Sequence, residues 1–191
     1  MNQTDIDEML RSEFVLLFTG NFYPGFREPT QLIHALKALP EIKLIIIGDT
    51  SRFNWLFFGV CPQIKLLGVT DHAKCRRLQK QATMLVNIGN RQSYQTPGKL
   101  FEYFGAQRPV FHIAGRPDDD ISLLLNKLNR GISVYNQSDQ IAEALEIAYA
   151  DWRKGALDQK FNLSLDTVKD YSWSANANCL YKKIKMLEKN E

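Results

Sequence analysis

Cysteine is scarce in this 191-residue chain. The three present, Cys61, Cys75 and Cys179, are scattered, with no C-x-x-C pair and no histidine at metal-ligand spacing. That argues against a disulfide framework or a zinc site and predicts reduced thiols in a cytosolic protein. Long apolar runs are missing as well. The longest, Leu44 to Gly48, falls far short of the roughly 20 residues that span a bilayer. Met1 to Glu13 is polar and acidic, which predicts no secretory signal. Net charge is only +3, with no basic block interleaved with aromatics, so nucleic acid is not an expected partner. G-x-x-x-x-G-K-[ST] and G-x-G-x-x-G are both absent, which excludes a P-loop and the common dinucleotide fingerprint. No Ser-His-Asp or Cys-His arrangement stands out. His34 lies among leucines on a predicted helix and His72 begins another; only His112, ending a predicted strand, has a modest functional claim. There are no internal repeats and no low-complexity segments. What remains is a soluble, cytoplasmic chain, 45% hydrophobic and long enough to bury one good core.

What is present is an alternation. Phe14 to Phe18 is a continuous apolar run, as expected of a strand buried on both faces. A loop, Thr19 to Arg27, leads to a helix from about Glu28, with Pro29 in its first turn and Leu32, Leu36 and Leu39 on one face. Pro40 stops it, and Lys43 to Gly48 forms the second strand. Ser51 to Val60 fits either a helix on the sheet or an exposed apolar patch. Ile64 to Leu67 is a third strand. A helix over Asp71 to Gln81 follows, with Thr70 as its expected N-cap. Met84 to Ile88, Val110 to Ile113 and Ile132 to Tyr135 complete six strands. Helices are predicted from Pro97, from Pro117 to near Gly131, and over Ser138 to Lys154. The series predicts an α/β fold, a doubly wound parallel sheet. A looser segment, Ala156 to Asp170, precedes a last helix whose Trp173, Ala177, Leu180 or Tyr181, Ile184 and Leu187 should face inward. Lys182, Lys183 and Lys185 suggest at most a weak peripheral membrane contact; a solvated face explains them better.

In such sheets ligands bind beyond the carboxyl ends of the strands, where strand order reverses. With order 3-2-1-4-5-6, the loops meeting there are Thr19 to Arg27 and Gly89 to Lys99. The second runs into Thr96-Pro97-Gly98-Lys99-Leu100-Phe101-Glu102-Tyr103-Phe104. Pro97 suits a first helical turn, Leu100 and Phe104 would face the core, and Lys99 and Glu102 would sit side by side outside. Amide groups at a helix start, with Gly98 before it and Lys99 on it, suit phosphate, and Arg27 approaches from the other loop. A carboxylate one turn on can accept two hydrogen bonds from a sugar diol. Phosphate plus diol describes a nucleotide. The plain alternative is that Lys99 and Glu102 form a solvated ion pair worth a few tenths of a kcal/mol, and that the glycines merely make turns. Asp118-Asp119-Asp120 contains a D-x-D, which in some sugar transferases binds metal. Directly after Pro117 it reads instead as a helix start with acids on the dipole. A phosphoacceptor domain would need acids after the first strand, where this chain has Thr19-Gly20-Asn21.

TPGKLFEYFGAQRPV resembles the P-x-K-x-x-E-Y segment of the retaining GT-B glycosyltransferases grouped as family 4. FVLLFTGNFYPGFREPTQLIHALKAL, LIIIGD, IKLLGVT and MLVNIGN are similar to that family's successive strand ends, in order. The likeness runs from about Phe14 to Leu187 and covers only the family's C-terminal, donor-binding half. It implies a metal-free site for a nucleoside diphosphate sugar. Arg27 and Lys99 would face the pyrophosphate and Glu102 the ribose. Gly20 and Asn21 would lie at the diphosphate and sugar edge, Pro97 and Gly98 at the helix start, and the Leu67-Gly68-Val69 backbone by the base. Two positions depart. Tyr94 stands where the family often has a glutamate touching the donor sugar, and Gln107 where a glycine usually ends the helix. The resemblance implies a polar segment 1–13, a Rossmann-like domain 14–155 and a C-terminal segment 156–191. It also implies a missing N-terminal acceptor domain or a split partner, without which the chain is inactive. The alternatives are a non-catalytic nucleotide-sugar module and a GT-B sugar-nucleotide epimerase.

Overall fold

The computed structural model describes residues 3–57, 61–90, 98–117 and 119–187. Six parallel strands form one sheet in the order β3-β2-β1-β4-β5-β6. They are β1 (Phe14–Thr19), β2 (Ile42–Ile47), β3 (Ile64–Gly68), β4 (Met84–Ile88), β5 (Val110–Ala114) and β6 (Gly131–Tyr135). The central strands β1 and β4 are buried at every position, which is why Phe14 to Phe18 reads as an unbroken apolar run and Met84 to Ile88 is interrupted only by Asn87. Phe14, Leu16 and Phe18 face one layer, and Val15 and Leu17 the other.

The first layer holds α2 (Thr30–Lys37) and α7 (Ser138–Arg153), which bury Leu32, Leu36, Ile141, Leu145 and Ala148. The second holds α1 (Gln3–Ser12), α4 (His72–Gln81), α5 (Lys99–Gly105) and α6 (Asp120–Leu128). Each fully buried leucine or isoleucine contributes about 1.5–3 kcal/mol, so these stripes fix the layers firmly.

Four local readings change. The polar N-terminal segment is a helix: Ile6, Met9 and Leu10 recur at helical spacing and are buried against the second layer. The ambiguous stretch after β2 combines both possibilities. A 3-10 turn, Ser51–Phe53, runs into one turn of helix, α3 (Asn54–Phe57), with Phe53 and Leu56 buried and Trp55 exposed. Asp71, not Thr70, caps α4, its carboxylate accepting from the Lys74 amide at 2.8 Å. An aspartate one residue nearer the helix outcompetes the threonine.

The last helix, α8 (Trp173–Leu187), departs furthest. None of its residues is buried, and Trp173 is 92% exposed. Leu180, Tyr181, Ile184 and Leu187 are likewise exposed, so nothing among the described residues buries the expected inward face. Helical spacing reports a stripe on a helix; it does not report whether anything covers it.

Two features fix the back of α5. Gln107, just beyond its end, takes φ +56°, the left-handed conformation that glycine would adopt without strain. The helix therefore ends where a glycine would end it. Arg130, fully buried, bonds to the Phe104 carbonyl at 2.8 Å and to the carbonyls of Asn162 and Ser164 at 2.9 and 2.7 Å. Its guanidinium also lies 5.3 Å from the Phe104 ring centre. Burial lowers its pKa. One arginine thus ties the C-terminal end of α5 to the segment after α7.

Candidate functional site

The order of the sheet places its reversal between β1 and β4, and the backbone there is built to open. The β1–β4 ladder stops at Phe18 and Val86, while β1 stays paired with β2 as far as Thr19 and Ile47. Beyond Thr19 the chain turns over β2. A Cβ on Gly48 would come within 1.9 Å of the Gly20 carbonyl, so only glycine permits this crossing. The Asn21 amide oxygen accepts from the Asp49 amide at 3.1 Å and fastens the turn.

The loop then folds back on itself. Tyr23 and Arg27 exchange backbone hydrogen bonds at 2.9 and 2.8 Å. That bridge swings Arg27 inward across the crevice, where its guanidinium donates to Asn90 Oδ1 through Nη2 at 2.8 Å and Nε at 3.2 Å. Desolvation lowers the Arg27 pKa, but a guanidinium starts so high that it stays charged. A cleft of about 580 Å³ lies beside it, lined by Tyr23, Pro24, Phe26, Arg27, Arg52, Gly98 and Lys99.

Three cations therefore share one cleft at the carboxyl edge of the sheet. Arg27 and Lys99 were legible in the sequence; Arg52 was not. It lies in the 3-10 turn after β2, in the stretch whose structure local pattern left open. Its only sequence signal is a lone arginine within a few residues of a strand's carboxyl end.

Lys99 opens α5, and its ammonium donates to Glu102 Oε2 at 3.2 Å. His72, at the start of α4, places Nε2 3.9 Å from the same oxygen. Glu102 does not line the large cleft. It borders a neighbouring one of about 380 Å³ with His72, Arg76, Gln79 and Trp173. The Lys99–Glu102 pair thus forms the ridge between two adjoining clefts. At roughly a third exposure each, such a pair contributes little to stability by itself.

The remaining expected residues are spread more widely. Gly98 lies on the large cleft, in helical conformation and with no side chain capping α5. Since α5 is only seven residues long, its dipole is small and the side-chain cations dominate the field. Gly20 and Asn21 lie at the turn after β1 and line neither cleft. Val69 follows β3 and is 82% exposed, also off both walls. Pro97, Tyr94 and Asp118 fall outside the described residues.

Asp119 behaves as a helix cap, accepting from the Ser122 amide at 2.9 Å and lying 2.5 Å from His112 Nε2. Burial raises the Asp119 pKa, but its bonds to His112 and Ser122 outweigh that and hold it low. His112 is itself fully buried, with Asn87 on its other nitrogen. It packs behind Gly89. Among the described residues, no three His, Cys, Asp or Glu side chains are grouped to hold a metal. No described helix is long and apolar enough to cross a membrane.

Neither a sequence-family model nor a curated protein sequence matches this chain. Solved structures do. The chain is similar to Anabaena Alr3699/HepE, solved with UDP-glucose, at TM-score 0.73 and 15% identity, over 97% of this chain and 54% of that one. It is similar to the C-terminal domain of the glycosyl transferase group 1 family protein LpcC from Francisella tularensis, at TM-score 0.62 and 17% identity, over 90% and 94%. A Listeria monocytogenes chain provisionally assigned as a UDP-N-acetylglucosamine 2-epimerase gives TM-score 0.58 and 11% identity, over 84% and 42%. The chain spans about half the length of HepE but nearly all of the isolated LpcC domain. Its fold is that of the C-terminal half of a GT-B glycosyltransferase. That fold alone does not separate sugar transfer from epimerisation.

Proposed function

We propose that this chain, folded as the C-terminal half of a GT-B enzyme, is the donor-binding part of a glycosyltransferase. It would hold a nucleoside diphosphate sugar while a second domain or partner chain presents the acceptor. The observation that carries this is the convergence of Arg27, Arg52 and Lys99 on one cleft at the sheet's reversal point. Three cations in a partly enclosed cleft match a diphosphate, and they oppose the negative charge that grows on it as the sugar leaves. Glu102, one helical turn from Lys99, would take the ribose hydroxyls. Val69 and the backbone before it would lie by the base. Gly20 and Asn21 would border the junction of diphosphate and sugar, and Pro97 and Gly98 the phosphates at the start of α5.

Because charge neutralisation is assigned to side chains, binding is expected to need no metal. HepE, a structural neighbour, was solved with UDP-glucose, so UDP is the first probe. Calorimetry with UDP in chelator and in excess magnesium should give the same affinity. Binding only with magnesium would return a metal to the site, and binding under neither condition would remove the nucleotide reading.

Transfer needs donor and acceptor held together in one closed cleft, and here only the donor wall is assigned. An acceptor-dependent assay of diphosphate release from UDP-glucose should therefore show no turnover by this chain alone. Turnover would mean that the chain carries its own acceptor site. The exposed stripe on α8 supports the expectation of a partner, and the site chemistry suits a cytoplasmic donor.

A further inference from the structure

We propose that Tyr103 is a positioning residue of the nucleotide site, its hydroxyl locking α5, and so Lys99 and Glu102, to the end of β1 where the sheet opens. The inference rests on the nucleotide reading above. Its basis is a buried hydrogen-bonded cluster at the last residue of β1. Along β1 the amides alternate in direction: Val15 bonds on the β4 side, to Thr83 Oγ1, and Gly20 bonds to Ile47 of β2. Thr19, in step with Val15, therefore aims its N–H toward β4. The β1–β4 ladder ends there: its last pair, Phe18 with Val86, sets that N–H against the Val86 carbonyl, and no further rung holds β1 to β4.

Tyr103 adds a side-chain tie at that last rung. Its phenolic oxygen lies 3.1 Å from the Thr19 amide and accepts from it, and it lies 3.0 Å from Thr19 Oγ1. Gln79, from α4, donates to the same Thr19 hydroxyl at 3.2 Å. Thr19, Gln79 and Tyr103 are all buried. Gln79 thus donates to Thr19 Oγ1, and the tyrosine and threonine hydroxyls share a bond in which either can donate. Burial pushes the Tyr103 pKa up to about 12, so the donor is present across the physiological range.

Three elements that each carry part of the candidate site meet at this point. β1 leads into Gly20, Asn21 and the Arg27 loop, α5 bears Lys99 and Glu102, and α4 bears His72 beside Glu102. A ligand that touches both the phosphate and the ribose ends depends on the distance between those elements; a fragment touching one end does not. Connecting two weak fragments strengthens binding only when the two subsites are held at the spacing that the connection spans.

The test compares Tyr103→Phe and Thr19→Val with the parent chain, using UDP, inorganic pyrophosphate and uridine as probes in NMR titrations. Both substitutions keep the shape of the core, and a thermal melt establishes that each variant is folded. UDP should weaken on the order of tenfold in either variant, while pyrophosphate and uridine each stay within about twofold. Amide exchange along α5 should quicken. UDP affinity within about twofold of the parent would overturn the proposal. So would a parallel loss of all three probes, which marks damage to the fold. If the parent binds neither UDP nor pyrophosphate, the nucleotide reading fails and the positioning role with it. Unchanged exchange along α5 would remove the lock whatever the chain binds.

Discussion

Replacing Glu102 by alanine is expected to weaken UDP binding by on the order of 10- to 100-fold while leaving inorganic pyrophosphate almost unaffected. A carboxylate accepting from both ribose hydroxyls makes two charge-assisted hydrogen bonds, each worth roughly 1.5–3 kcal/mol. Water recovers part of that when the carboxylate is gone, which lowers the net loss to the range above. Pyrophosphate has no ribose and should not register the change. Glu102→Gln should fall between, because one carbonyl oxygen still accepts. Lys99→Ala should give the opposite pattern, weakening pyrophosphate and UDP alike. The contrast matters because the Lys99–Glu102 contact, at 3.2 Å, is also what an ordinary surface ion pair looks like. An exposed pair is worth about 0–1 kcal/mol, so the melting temperature of Glu102→Ala should hardly move. Calorimetry on the two variants with the two ligands decides the matter. Unchanged UDP affinity in Glu102→Ala would make the pair structural and place the ribose elsewhere.

Arg130→Leu should cost the fold roughly 2–4 kcal/mol, the largest single loss of stability expected outside the hydrophobic core. The leucine matches the apolar surroundings but donates nothing. The carbonyls of Phe104, Asn162 and Ser164 would then lose a charged donor at 2.7–2.9 Å. Relief of the arginine's own desolvation offsets part of the cost, which keeps the estimate below the sum of the bonds. Arg130→Lys should recover little, since one ammonium cannot reach both the end of α5 and residues 162–164 as the planar fork does. For a chain of this size the loss should lower the melting temperature by roughly 4–16 °C. Urea melts of the two variants provide the measurement. A shift near zero would mean that the carbonyls find water and that Arg130 is no staple. Because Phe104 lies on α5, loosening at its carboxyl end should also weaken UDP binding, through helix placement and without loss of any ligand contact.

Local sequence carried a great deal here. Apolar-rich runs of four to six residues, punctuated by glycine and proline, identified all six strands. Their alternation with helices was enough to give a parallel, doubly wound sheet and the place where its order reverses. That works because burial on both faces favours apolar side chains at successive strand positions, and because a parallel crossover needs a helix. The adjacency of Lys99 and Glu102 was equally legible, since helix geometry alone sets residues three apart side by side. So was Arg27, from the loop after the first strand.

Arg52, the Tyr103–Thr19 bond, the Arg130 staple and the bare face of α8 belong to the tertiary structure. Arg52 reaches the cleft only because β2 lies beside β1, which brings the turn after it to the same edge. Tyr103 carried no role of its own in the sequence, because the threonine it bonds is 84 positions away. Arg130 sits at the start of a strand, where its neighbours in sequence give no hint of acceptors from residues 162–164. The stripe on α8 is as regular as that on α7, yet one is buried and the other is not. Periodicity fixes which side chains share a face. What that face meets is decided by where the rest of the chain lies, and no local pattern contains it.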